Sequence, residues 1–342
     1  MSAPAKMKYV HLGNSGLKIS KIVFGCMSYG SSSWANQGWI LGEEVGIEHI
    51  KAAYDAGINA FDTAAVYSDG QSEEILGKAI KQHNLPRDEI VVMTKLFGYS
   101  AWNKIKESEG GRTTNQRGLS RKHVFDSVRD SLKRLQLEYI DLLQCHRFDY
   151  DTPIEETMQA LHDVVKAGYV RYIGMSSCWA YQFNIMQNYA ATHNLTPFIS
   201  MQNHHSLVYR EEEREMFPTL KHYGVGIIPW SPLARGVLTR PLAAQKETSR
   251  GTADPWVNAY NKGGYEAIVN RVEEIAKKRG VSMAQIALAW SMSKDGVTAP
   301  IIGATSLEKL ADCIAAVNLE LTAEEKTYLE EQYVPIAVFG HT

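Results

Sequence analysis

Cysteine is scarce in this chain: it occurs four times in 342 residues, at Cys26, Cys145, Cys178 and Cys313. No CxxC pair or zinc-ligand spacing joins them, which excludes a disulfide framework and a clustered zinc site and leaves free thiols in a reducing compartment as the expectation. Long apolar runs are missing too, and the opening "MSAPAKMKYV" has no signal-peptide core, so a cytoplasmic protein is expected. Charge of one sign is lacking. Lys and Arg number 36 against 38 Asp and Glu, a formal net charge of -2 without a like-charge block, which argues against nucleic acid and anionic membrane as partners. No strand candidate is followed by GxGxxG, the usual dinucleotide fingerprint.

What is present is an alternation. After a short hairpin that turns at Asn14-Ser15-Gly16, eight apolar strand candidates follow: "KIVFG", "INAFD", "IVVMTK", "YIDLLQC", "VRYIGM", "FISMQ", "VGIIPW" and "TAPIIG". Several are apolar on both faces, as strands covered on both sides must be. Helix-period residues fill the gaps: Ile47, Ile50 and Tyr54, then Val124, Val128, Leu132 and Leu135. Capping patterns mark helix starts at Thr152-Pro153-Ile154-Glu155, at Ser282 with Gln285, and at Thr322 with Glu325. Strand-helix units in this number and length predict an α/β fold, a (β/α)8 TIM barrel with an N-terminal β-hairpin, spanning 1–342 as one domain. An open doubly wound sheet is the alternative.

Two connections are long, Gly98 to Ser120 and Ser231 to about Gly264. Both follow strands and would rise on the C-terminal face, where barrels build their sites, with Trp102, Trp256 and Tyr260 as candidate pocket linings. Strand ends meet on the same face. They deliver Asp62, Lys95 and His146, with Tyr67 in the loop after the second strand. Each alone reads as a turn, rim or satisfied polar residue. Together they suit carbonyl chemistry: a phenol, with a reference pKa of about 10, donates a proton only if its anion is stabilised, and an ammonium oriented by a carboxylate does that. A neutral histidine opposite could hold the carbonyl oxygen.

The chain resembles the aldo-keto reductases along nearly its whole length, through "LGNSGLKISKIVFGCMSYG", "INAFDTAAVYSDGQSEEILGKAI", "MTK", "YIDLLQCH", "AGYVRYIGMSS", "PWSPLARGVLT" and "PIIGATSLEKL". The resemblance implies NAD(P)H-dependent reduction of aldehydes or ketones without a metal, with Asp62, Tyr67, Lys95 and His146 catalytic and Tyr67 the general acid; NADPH rather than NADH is expected from the charge of Lys309 near the adenosine end. It implies that Ser176 and Gln202 hold the nicotinamide carboxamide and that Trp230 stacks on the ring. Ser231, Leu233 and Gly236 would lie along the pyrophosphate; Gly303, Thr305 and Lys309 would lie near the adenosine phosphate, where a helix starting near Ser306 offers backbone N–H groups. Ser177, Arg235, Thr305 and Cys313 depart from commoner residues and bear on cofactor preference. The wording "SPLARGVLTRP" and "FGCMSYG" is most like aryl-alcohol dehydrogenases.

Two other functions compete. A metal-dependent barrel hydrolase would use His146, His204, His205 and Asp62, although neighbours on a strand face opposite ways. Potassium-channel β subunits resemble the same family while serving as cofactor-binding regulatory partners; a large exposed docking patch would favour that role.

Overall fold

The computed structural model describes residues 7–34, 38–98 and 114–341. Two short strands, β1 (Tyr9–His11) and β2 (Lys18–Ser20), form the antiparallel hairpin. Eight parallel strands follow: β3 (Val23–Gly25), β4 (Ala60–Asp62), β5 (Val91–Leu96), β6 (Ile140–Cys145), β7 (Val170–Ser176), β8 (Phe198–Gln202), β9 (Gly226–Ile227) and β10 (Ile301–Ile302). Their order in the sheet is β10-β3-β4-β5-β6-β7-β8-β9. The Thr298 N–H donates to the Ile227 carbonyl and the Ile301 N–H to that of Pro229, each at 2.8 Å, which joins the last strand to the one before it and closes the ring. All eight strand candidates are present, and the fold is a (β/α)8 TIM barrel with an N-terminal hairpin.

Period-two alternation divides each strand between two cores. Ala60, Val91, Met93, Leu142 and Ile301 turn into the barrel and pack with Leu12 and Ile19 of the hairpin, which plugs the bottom. The intervening Phe61, Val92, Leu96 and Leu143 face outward against the helices. A third cluster, around Trp290, Ile268 and Val272, also takes in Ala234, Val237, Leu238 and Tyr260, so the long connection after β9 is anchored at its base.

Helices occupy the expected intervals, Glu43–Asp55 and Arg121–Leu135 among them. Gly77 of the helix Gln71–Gln82 lets it touch its neighbour: a Cβ there would stand 2.3 Å from the Leu135 carbonyl oxygen. Between the same helices Glu73 and Arg134 form a buried ion pair of 2.6 Å, and Thr94 of β5 donates to the second Glu73 oxygen. The caps divide. Thr322 and Glu325 make a full capping box, and Ser282 accepts from the Gln285 N–H. The box expected at Thr152 does not form, because its hydroxyl donates to Asp149 and Pro153 becomes the cap of Ile154–Lys166. Trp102 and most of the Gly98–Ser120 connection lie outside the described residues. Among the described residues no helix is long and apolar enough to cross a membrane.

Candidate active site

The inward positions turn polar at the C-terminal end of the strands. Beyond Ala60, Met93 and Leu142 the next inward residues are Asp62, Lys95 and Gln144; β8 adds Gln202 and β7 ends at Ser176. Asp62, Gln144 and Gln202 come from alternate strands, the arrangement by which a barrel fills one layer. The Nε2 groups of Gln144 and Gln202 both donate to Asp62 Oδ1, at 3.0 and 2.9 Å. Gln202 Nε2 also donates to Gln144 Oε1 at 2.8 Å. Asp62 is thus fixed by two amides on one oxygen, and its other oxygen accepts from Lys95 Nζ at 2.5 Å.

Lys95 is 1% exposed. Burial disfavours its charge, but the Asp62 carboxylate and Tyr67 together outweigh this and hold its pKa above the ordinary lysine value. The same ammonium donates to the Thr63 carbonyl at 2.9 Å and to the Tyr67 hydroxyl at 3.2 Å. Tyr67 stands in a tight turn whose next residues, Ser68 and Asp69, both adopt positive φ. The turn fits because Gly30 has no side chain: a Cβ there would fall 2.1 Å from Ser68 Cβ. Thr63 and Ser72 have a structural role, their hydroxyls bonded to each other at 2.8 Å with Ser72 donating to the Cys26 carbonyl.

His146 faces Tyr67 edge-on, ring centroids 5.7 Å apart. Burial, with the charges of Arg147 and Lys95, keeps its pKa well below the ordinary histidine value, so the ring is neutral at neutral pH. A neutral imidazole has one N–H to donate.

Asp62, Tyr67 and His146 open on a cavity of about 560 Å³, also lined by Ser176, Gln202, Trp230, Ser231, Leu233, Gly236, Gly303, Thr305 and Lys309. The candidate residues therefore share one space, with Lys95 buried beneath Tyr67. A dinucleotide fits the polar groups present, with acceptors at the nicotinamide end and donors along the phosphates. At one end lies the Trp230 indole, whose Nε1 donates to Ser177 Oγ at 3.0 Å. The amide hydrogens of Gln202 are committed to Asp62 and Gln144, and Ser176 Oγ donates to the Gln202 backbone carbonyl at 2.9 Å. Farther along, Ser231, Ala234, Arg235 and Gly236 have positive φ, a backbone form that turns N–H groups into an anion-binding concavity. Arg240 and Lys309 border the same cavity; Lys309 Nζ donates to Thr305 Oγ1 at 2.8 Å, and Ser306 caps the helix Leu307–Ala315 by accepting from the Lys309 N–H.

Several neighbours were not legible in the sequence. Gln144 is one, read only as part of an apolar strand, although its inward register beside Lys95 marks it. His204 is another. It stacks between Trp230 and Tyr209, centroids 4.1 Å from each, and its Nε2 shares a 2.7 Å hydrogen bond with the Tyr260 hydroxyl. Tyr260 is consequently buried behind this stack and is not a cavity lining, whereas Trp256 is. His205 points elsewhere, to Glu213 at 2.8 Å. Among the described residues no group of three or more His, Cys, Asp or Glu is gathered to hold a metal ion, so the ligand set required by the hydrolase alternative is not assembled there. The C-terminal tail packs on the site: a Cβ on Gly340 would lie 3.2 Å from Trp230.

Comparison with known proteins accords with this geometry. The sequence profile of the aldo/keto reductase family matches residues 21–333. The chain belongs to the aldo/keto reductase family. It is 49% identical to an aryl-alcohol dehydrogenase-like protein of Schizosaccharomyces pombe, across 99% of both chains. It is 47% identical to versiconal hemiacetal acetate reductase of Aspergillus parasiticus, over 97% of this chain and 98% of that one. An aldo-keto reductase of Fusarium vanettenii shares 45% over 98% and 94%. This aldo/keto reductase is accordingly an oxidoreductase, of a family that reduces carbonyls with NAD(P)H.

Proposed function

We propose that the protein reduces aldehydes or ketones to alcohols with NADPH, with Tyr67 as general acid. The observation that carries this reading is the chain of contacts Asp62–Lys95–Tyr67 at the edge of the cavity, with neutral His146 facing the phenol. When bound, the dinucleotide supplies hydride to the carbonyl carbon. Tyr67 gives its hydroxyl proton to the carbonyl oxygen, and the Lys95 ammonium stabilises the phenolate left behind. Asp62 keeps that ammonium charged and aimed. His146 donates a hydrogen bond to the same oxygen and orients it toward Tyr67. Ser176, Gln202 and Trp230 hold the nicotinamide end; Ser231, Leu233 and Gly236 hold the pyrophosphate; Gly303, Thr305 and Lys309 hold the adenosine end. Preference for NADPH rests on Lys309, a cation near a helix start.

The near-neutral charge supports a cytoplasmic protein acting on small molecules rather than on nucleic acid or membrane. The test is Tyr67→Phe, which removes the proton donor and little volume. Carbonyl reduction should fall by about 10²–10⁴-fold while NADPH binding, followed by quenching of tryptophan fluorescence, persists. A loss below roughly tenfold removes Tyr67 from the role.

A further inference from the structure

The cations that border the cavity divide by what they are bonded to. Arg235 and Arg250 share the Asp254 carboxylate, at 2.6 and 3.1 Å. Arg240 donates to Thr248 Oγ1 and Lys309 to Thr305 Oγ1, both at 2.8 Å. These four stand with the connection after β9 or with the helix after β10, at the phosphate end. Arg147 is placed differently. It follows His146 directly, at the end of β6, and lines the cavity at the reacting end. Its Nη1 donates to the His146 backbone carbonyl at 2.5 Å, and among the described residues no carboxylate pairs with it. Burial lowers its pKa from the ordinary arginine value, with the Tyr67 charge acting in the opposite sense. A guanidinium remains charged under such a shift.

A cation enclosed without a counter-ion is costly unless something anionic or strongly accepting meets it. Arginine's fork of N–H donors matches a carboxylate. Apolar and aromatic side chains, Met27, Trp34, Val66 and Trp256, share the cavity's lining with its polar groups. We infer that Arg147 is a substrate-recognition residue, and that the preferred substrate is an aromatic aldehyde or ketone bearing a carboxylate, which Arg147 binds while the carbonyl lies between Tyr67 and His146. This inference rests on the carbonyl reductase reading above and names the substrate class for it.

The experiment compares kcat/KM for the 2-, 3- and 4-carboxybenzaldehydes with their methylbenzaldehyde counterparts at fixed NADPH, in wild type and in Arg147→Met. At least one carboxylated isomer should be preferred tenfold or more by wild type. That ratio should drop about ten- to hundredfold in Arg147→Met, the range for losing a charge-assisted contact, and be partly kept in Arg147→Lys. NADPH titration by tryptophan fluorescence verifies that each variant is folded. No preference in wild type, or the same preference in Arg147→Met, overturns the inference and leaves the carbonyl reductase reading intact. If wild type turns over neither aldehyde, that reading fails, and the anion subsite is judged by benzoate binding in the presence of NADP⁺: binding lost in Arg147→Met supports it, and equal binding overturns it.

Discussion

At Lys95 two opposing effects meet, the cost of burying an ammonium and the combined pull of the Asp62 carboxylate 2.5 Å away and of Tyr67, and the second prevails. Lys95→Met should therefore damage turnover severely, because Tyr67 loses the charge that stabilises its anion and Asp62 is left buried without its cation. Turnover near wild type, with aldehyde and NADPH in steady state, would remove Lys95 from the mechanism. His146 calls for a split measurement. His146→Ala should lower carbonyl reduction far more than it weakens NADPH binding, since its ring faces Tyr67 and not the phosphate end. Equal losses in kinetics and in fluorescence titration would make His146 a structural support. Asp62, Tyr67, Lys95 and His146 were legible only as a set, polar residues ending apolar strands or just beyond them that a barrel brings to one face. Gln144 was not, since nothing local in "YIDLLQC" says that its amide meets an acid 82 positions earlier.

At the scale of elements, the start of Leu307–Ala315 carries the cofactor preference proposed above. Removing the cation in Lys309→Ala should weaken NADPH affinity about ten- to hundredfold and change NADH little. Equal weakening of both, measured by parallel titrations, would mean that Lys309 does not read the extra phosphate. Glu73 and Arg134 tie helices Gln71–Gln82 and Arg121–Leu135 together, and both are buried. Glu73→Ala leaves the guanidinium enclosed and unpaired, at an expected cost of roughly 3–5 kcal/mol in urea unfolding. A cost under about 1 kcal/mol would show that water reaches Arg134. Helix positions were readable because apolar residues recur every three or four places. The Thr152 cap misled because the competing acceptor, Asp149, lies in the preceding loop and only its geometry reveals the bond.

For the whole molecule, buried histidines couple stability to pH. His204 and His205 are at most 1% exposed, and burial lowers the pKa of each, against the opposing Glu213 contact in the case of His205. In the unfolded chain an imidazole takes a proton near pH 6.5. Below that pH the unfolded state binds protons that the folded state refuses, so stability is complete above about 6.5 and declines as pH falls. Each such histidine adds at most roughly 1.4 kcal/mol of loss per pH unit. The melting temperature should accordingly be lower at pH 5.5 than at pH 7.5; no difference would contradict neutral, buried imidazoles at these two positions.

Composition and periodicity alone determined the class of molecule: a near-neutral chain of strand-helix units, apolar on both strand faces, can bury that pattern by closing a parallel barrel. They also brought the chemistry to one face, because every strand of such a barrel ends on the same side. Tertiary structure decided what each end residue meets. The bond from Gln202 to Asp62 spans 140 positions, and the stack of His204 on Trp230 depends on two strands lying side by side. Periodicity reports which way a side chain points relative to its own backbone. Hydrogen bonds and ion pairs depend on distances of a few ångströms between segments far apart in sequence, and those distances exist only once the barrel has closed.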